Sequence, residues 1–361
     1  MSLLGPSADR WPGVVTAFRQ WLDLPPGTVP VTLGEGNTPL VPLPGLVDAD
    51  LELWGKFEGS NPTGSFKDRG MTVAMSAAVA TGAQLAVCAS TGNTAASAAA
   101  YAGRAGLPSY VVMPAGHVAR GKLAQALAHG ARVLEVDGNF DQALAMVRAL
   151  AAAHPEVALV NSVNPYRIEG QKTAALEVVS QLGGVPDHVV LPVGNAGNIT
   201  AYWRGFVAWS GQSGAPTPRL VGVQAAGAAP LVTGQPVERP ETVASAIRIG
   251  RPASGPQALA AVAESGGMLL AASDEEILAA WARLARQGGL FAEPASAAAL
   301  AGVVKLAAQG YFPPGSRVVV VLTGHGLKDP DAALGRLPTA TRVPVDAGAL
   351  AASLGLPVEV P

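Results

Sequence analysis

One lysine stands where chemistry is possible. Lys67 ends the stretch Asn61-Pro62-Thr63-Gly64-Ser65-Phe66 and is followed by Asp68 and Arg69. Pro62 fixes its own φ and Gly64 supplies freedom, so the stretch reads as a turn opening into a helix. A partly desolvated amine there keeps a neutral fraction, and a neutral amine can attack a carbonyl or carry a proton. A surface ion pair with Asp68 accounts for the same residues equally well.

Four further segments offer polar groups at the ends of apolar runs. Ser90-Thr91-Gly92-Asn93-Thr94 follows one such run and leads into a helix. Its backbone N–H groups and hydroxyls suit a carboxylate or a phenolate-like oxygen, although a simple helix cap by Ser90 or Asn93 uses them as well. Gly194-Asn195-Ala196-Gly197-Asn198 has the same placement and suits a phosphate. It lacks the Gly-Lys-Ser/Thr of a Walker loop and the Gly-x-Gly-x-x-Gly of dinucleotide folds. Thr323-Gly324-His325-Gly326-Leu327-Lys328 puts a hydroxyl at the end of a strand, where it can meet a ring nitrogen without forcing its protonation. His325 in this turn reads as structural. In Asn161-Ser162-Val163-Asn164-Pro165-Tyr166-Arg167-Ile168-Glu169-Gly170-Gln171-Lys172, the planar fork of Arg167 suits a phosphate; a pair with Glu169 or Glu177 is the alternative.

The elements that must position these turns follow one pattern: a short apolar run, a turn, then an Ala-rich helical run. The runs expected as strands are 85–89, 109–113, 132–136, 157–160, 188–193, 220–224 and 317–322. The expected helices are 93–104, 118–129, 141–154, 169–182, 198–209, 274–286 and 294–309. Such alternation predicts an α/β fold with mainly parallel sheets covered on both faces. Residues 211–218 and 226–262 are rich in Gly, Pro, Ala and Ser and read as loops.

Composition removes several function classes. Among 361 residues, 49% are hydrophobic and 14% charged, enough apolar material for a large core. The net charge of −2 provides no electrostatic footprint for nucleic acid. Cys88 is the only cysteine, which excludes an internal disulfide and multi-cysteine zinc clusters and suits a reducing compartment. Its apolar neighbours read as a buried structural site. Residues 70–103 carry no charge, but Gly82, Gln84 and the Ser90–Thr94 turn interrupt them, so they read as helix, buried strand and loop instead of a membrane span. No signal-peptide pattern opens the chain.

Taken in order, Gly34-Glu35-Gly36-Asn37-Thr38-Pro39-Leu40, Asn61–Arg69, Ser90–Thr94, Asn161–Lys172, Gly194–Asn198 and Thr323–Lys328 resemble the β-family, or fold type II, of pyridoxal-phosphate enzymes, and within it the threonine synthases. The resemblance implies two domains of twisted, mainly parallel sheet: residues 1–66 with 162–361 for the cofactor phosphate, and a smaller mobile domain, 67–161. It implies that Lys67 holds the cofactor as a Schiff base and moves protons. Asn93 would contact the ring hydroxyl; Gly194, Asn195, Ala196, Gly197 and Asn198 would bind the cofactor phosphate; Thr323 would face the ring nitrogen. Ser90, Thr91, Thr94, Asn161, Ser162, Arg167 and Asn195 would receive the substrate. The implied reaction is conversion of O-phospho-L-homoserine and water to L-threonine and phosphate. A threonine or serine dehydratase, or a sulfhydrylase, is the alternative within the fold, although neither needs a second phosphate site. A cytoplasmic homodimer without nucleic-acid, membrane or metal partners completes the expectation.

Overall fold

The computed structural model describes residues 10–90, 92–116, 120–330 and 340–356. In chain order the strands are β1 (Leu40–Pro42), β2 (Leu51–Phe57), β3 (Leu85–Ala89), β4 (Ser109–Pro114), β5 (Arg132–Val136), β6 (Val157–Leu159), β7 (His188–Pro192), β8 (Arg219–Ala225), β9 (Met268–Ala272) and β10 (Ser316–Leu322). The α-helices are α1 (Val14–Ala17), α2 (Lys67–Ala80), α3 (Asn93–Ala105), α4 (Arg120–Ala128), α5 (Phe140–Ala153), α6 (Pro165–Leu182), α7 (Gly197–Ser213), α8 (Pro230–Thr233), α9 (Gly255–Glu264), α10 (Asp274–Arg286), α11 (Pro294–Ala308) and α12 (Ala347–Ser353). The strands form two sheets, ordered β1-β2-β10-β7-β8-β9 and β5-β4-β3-β6. Only the short β1 runs antiparallel, against β2; the remaining pairs are parallel.

Burial explains the strand sequences. β7 is buried at all five positions and β10 at six of seven, because helices cover both faces of the larger sheet. The edge strand β5 has no fully buried residue and carries Arg132 and Glu135. Local signals set the helix ends. Asn139 with Gln142, and Ser273 with Glu276, form capping boxes at the starts of α5 and α10. Helix α10 also has three acidic residues in its first turn and two arginines in its last, matching its dipole.

One helix crossing matters for the site. A Cβ on Gly170 of α6 would lie 1.9 Å from the carbonyl oxygen of Arg69 on α2, and a Cβ on Gly70 would lie 2.6 Å from that of Arg167. Only glycine at both positions lets the backbones approach this closely. The start of α2, with Lys67, is thereby pressed against the start of α6.

A buried ionic knot ties the same region to the larger sheet. Arg69 Nε meets Glu58 Oε2 at 2.6 Å, its Nη2 meets Glu177 Oε2 at 2.6 Å, and Lys56 Nζ reaches that same oxygen at 2.6 Å. Thr38 joins through its hydroxyl, which donates to Glu58 at 2.8 Å. Burial on its own would raise the Glu177 carboxyl; Arg69 and Lys56 overcome it and hold the group down at about 2. Removing one partner from such a knot leaves an uncompensated buried charge, worth about 3–5 kcal/mol.

Three features depart from the sequence expectation. Helix α8 and all but the last two residues of α9 lie in the stretch read as loop, residues 226–262, and α9 packs Ala258, Ala261 and Val262 into the core. Its alanines carry the helical period, which the surrounding Gly and Pro obscure. Helix α6 starts at Pro165 rather than 169, because Asn164 caps it by accepting from Tyr166 N. Strands β1, β2 and β9 lie outside the expected set. The start of the helix expected at 118 lies outside the described residues; α4 is described from Arg120.

The chain divides into two units, residues 1–329 and 330–361. Both sheets belong to the first. In the second, Asp346 Oδ1 caps α12 by accepting from Ala349 N at 2.7 Å.

Candidate active site

A cleft of about 620 Å³, its open mouth included, gathers Lys67, Ser162, Gln171, residues 194–199, Glu293 and Thr323. These come from turns and helix starts far apart in sequence: the start of α2, the approach to α6, the β7–α7 turn, the residue before α11 and the end of β10. The β7–α7 turn and Thr323 follow strand ends of the larger sheet and Ser162 follows β6 of the smaller one; parallel sheets bind ligands at such carboxyl ends.

Lys67 is the first residue of α2. Among the described residues its amine has no hydrogen-bond or ion-pair partner; it rests over the Phe66 ring, 4.3 Å from the centroid. Asp68 does not pair with it. That carboxylate turns back and accepts from Thr63 N (2.7 Å), Thr63 Oγ1 (2.6 Å) and Ser97 Oγ (2.6 Å), which pins the turn before the lysine. Burial, and after it the nearby guanidinium of Arg167, push the Lys67 amine down to about 7, against the pull of Glu293. A neutral amine is therefore available near neutral pH.

The β7–α7 turn is a cradle of backbone N–H groups. Ala196 sits at φ 66°, a left-handed conformation that is strained for a residue with a Cβ. Helix α7 has no side-chain cap, so its first N–H groups remain for a ligand. A Cβ on Gly194 would come within 3.0 Å of Ile247 Cα, so the floor is fitted to glycine. The Asn198 amide donates to Gln171 at 3.3 Å, while its buried Oδ1 has no partner among the described residues. Thr323 Oγ1 lies 2.9 Å from Ser296 Oγ, and Ser296 also accepts from Gly324 N at 3.0 Å. An amine, an uncapped Gly-rich turn and a hydroxyl in one cleft are the donor set that a phosphorylated pyridine aldehyde needs, so the residues present fit pyridoxal phosphate.

The remaining expected residues divide. Ser162 lines the cleft. Asn195 sits in the turn, accepting from Ser254 N through its carbonyl at 3.1 Å. Asn161 is committed to the backbone of Ala89, accepting from its N–H at 2.9 Å and donating to its carbonyl at 2.8 Å. Asn161 thus holds the end of β3, from which the Ser90 turn departs. Ser90 and Thr94 are half-buried beside that turn, and Thr91 lies outside the described residues. Arg167 is fully buried; Nη1 donates to Val160 O at 2.7 Å, and among the described residues Nε has no partner. Neither acid weighed as its partner takes it, since Glu169 pairs with Lys172 and Glu177 belongs to the knot. Burial pulls the guanidinium down to about 10. His325 caps the short turn at Gly326–Lys328 through its ring, as the structural reading expects. Cys88 is buried, and burial pushes its thiol up to about 12.

Sequence reasoning misses Glu293, Ser296 and Gln171. Glu293 stands immediately before α11, and its side chain does not cap that helix. Burial pushes its carboxyl up to about 7, opposed by the Asn93 hydrogen bond and by Lys328.

Comparison with known proteins agrees with this geometry. A family model described as pyridoxal-phosphate dependent enzyme matches residues 31–324. The chain belongs to that family and uses its cofactor. Threonine synthase from Mycobacterium tuberculosis is 55% identical over 349 residues, 96% of this chain and 97% of that one. Threonine synthase from Methanocaldococcus jannaschii is 48% identical, covering 89% and 82%. Among solved structures, a threonine deaminase of T.th. superposes with a TM-score of 0.66 at 27% identity, covering 85% of this chain and 94% of that one. O-acetyl serine sulfhydrylase isoform 3 from Entamoeba histolytica gives 0.73 at 21% identity, covering 89% and 96%, a likeness of fold.

No helix among the described residues is long and apolar enough to cross a membrane.

Proposed function

We propose that the cleft converts O-phospho-L-homoserine and water to L-threonine and inorganic phosphate. The observation that carries this reading is the unpartnered amine of Lys67 facing the uncapped Gly194–Asn198 cradle across one cleft, in a chain with threonine synthase relatives over nearly its full length. When bound, the cofactor supplies a conjugated ring that accepts the electron pair left by a departing carbon-bound proton.

The chain's own residues do the rest. Lys67 Nζ holds the cofactor and, once displaced, takes the α-proton of the substrate, a task suited to an amine poised at about 7. The backbone of residues 194–198 holds the cofactor phosphate, and Thr323 meets the ring nitrogen. Ser296 orients that hydroxyl. Ser90, Thr91 and Thr94 receive the substrate carboxylate, with Asn161 fixing the strand end they leave from. Ser162, Asn195 and Arg167 receive the substrate phosphate. The unpartnered Nε of Arg167 supports this part, since a buried guanidinium without a carboxylate is completed by an anion. Residues 67–161, which include the smaller sheet, close as a unit over the larger part and exclude water from the reacting carbons. The working form is taken to be a cytoplasmic homodimer; the single buried cysteine supports a reducing compartment.

The test follows phosphate release from phosphohomoserine alongside the visible spectrum of the cofactor-loaded protein. The reading expects stoichiometric phosphate and threonine, and a band that changes on adding substrate. Keto-acid release from threonine with no phosphate release from phosphohomoserine would instead make the chain a dehydratase.

A further inference from the structure

Glu293 is the one acid among the described residues that line the cleft around Lys67. It is only 3% exposed. Both of its carboxylate oxygens face Asn93 Nδ2, at 3.2 and 3.4 Å, from a position 200 residues further along the chain. Its other side is closed by Gly324, where a Cβ would lie 2.5 Å from Oε1. The Glu293 backbone N–H also donates to Gly324 O at 3.0 Å. The carboxylate is therefore held between the end of β10 and the start of α3.

An asparagine amide has a donor end and an acceptor end of nearly the same shape, so packing alone does not choose between them. Ionised, as it is above about pH 7, the Glu293 carboxylate accepts only. In that form it binds the Nδ2 end of Asn93 and excludes the Oδ1 end. The second hydrogen on Nδ2 then remains for a ligand in the cleft. We propose that Glu293 is a positioning residue that fixes the Asn93 amide with a donor, and not an acceptor, turned toward the phenolic oxygen of the bound cofactor. This rests on the reading of Asn93 as the ring-oxygen contact. A donor stabilises the anionic form of that oxygen, whereas a flipped amide sets two acceptors against each other. Gln in place of Glu293 has a donor end of its own and accommodates the flipped amide.

The experiment compares wild type, Glu293→Gln, Asn93→Ala and the double variant, each loaded with pyridoxal phosphate. The visible spectrum, the cofactor dissociation constant, kcat and KM are measured, with circular dichroism to verify the fold. Glu293→Gln is expected to shift the visible band, weaken cofactor binding and lower kcat about ten- to hundredfold, the range for a hydrogen bond to a charged group, with KM within about twofold. In the Asn93→Ala background the same substitution is expected to change each quantity by less than about twofold, because a residue acting through Asn93 has nothing left to position. A Glu293→Gln protein indistinguishable from wild type overturns the proposal. So does an undiminished effect in the Asn93→Ala background, which would put the action of Glu293 on Lys67 directly. If wild type shows no visible band dependent on Lys67, the proposed function fails and the inference falls with it. If that band is present and Glu293→Gln leaves it unmoved, only the inference fails.

Discussion

Lys67 and Arg69 lie two residues apart on α2, are both cationic, and have opposite surroundings. Arg69 is fully buried and spends its guanidinium on Glu58, Glu177 and Thr38. Lys67 is half-buried and has no such partner among the described residues. The knot holds Arg69 far on the charged side, its guanidinium raised by Glu177 and Glu58 despite burial, whereas burial leaves the Lys67 amine near neutrality. The contrast separates two uses of a cation withdrawn from water. A paired one fixes a helix in place; an unpaired one is free to react. Arg167 belongs with Lys67 in this respect, because it too is buried without a carboxylate partner among the described residues.

The sharpest way to break this contrast is to exchange the outcomes of the two sites. Lys67→Ala is expected to cut turnover by at least about 10⁴-fold and remove the visible band of the loaded protein, while the fold survives. Loss of the fold instead, read by circular dichroism, would make Lys67 structural. Arg69→Met is expected to lower stability by about 3–5 kcal/mol in denaturant titration, since Glu58 loses its buried cation and Glu177 keeps only Lys56. A shift under about 1 kcal/mol would deny the knot its role. Arg167→Ala is expected to raise KM for phosphohomoserine about tenfold with kcat changed only a few-fold. An unchanged KM counts against a phosphate site there, and a collapse like that of Arg69→Met would class it with the knot.

Two smaller effects sharpen the comparison. The depressed amine of Lys67 means that the unfolded chain binds an extra proton between pH about 7 and the unfolded value of 10.5. Stability of the cofactor-free protein therefore falls as pH drops through that window. Lys67→Met should raise the cofactor-free melting temperature at pH 7, with the gain shrinking as pH rises toward 10. A pH-independent gain would attribute the difference to packing. Ser296→Ala should lower kcat only a few-fold, because Thr323 keeps its place and loses one hydrogen bond. A loss as large as that for Lys67→Ala would move Ser296 into the reaction itself.

The turns were legible in the sequence wherever a local signal made them. Gly194–Asn198 announces a phosphate cradle by its glycines and by the strand and helix on either side, and the first residue of α2 follows from the turn chemistry of Asn61–Ser65. What the chain does not announce is partnership across distance. Arg167 reads equally well as a phosphate ligand or as a partner of Glu169 or Glu177 until Lys172 takes Glu169 and the knot takes Glu177. Glu293 carries no local signal at all; its partner Asn93 lies 200 residues away in the chain.

Local composition therefore determined the α/β alternation, the Gly-rich turns and the place of Lys67 at a helix start, because propensity, turn geometry and helix ends act over a few residues. Only tertiary structure decided which buried charges are paired. Desolvation and hydrogen bonding depend on groups brought together from the whole chain, and those terms separate the amine of Lys67 from the guanidinium of Arg69.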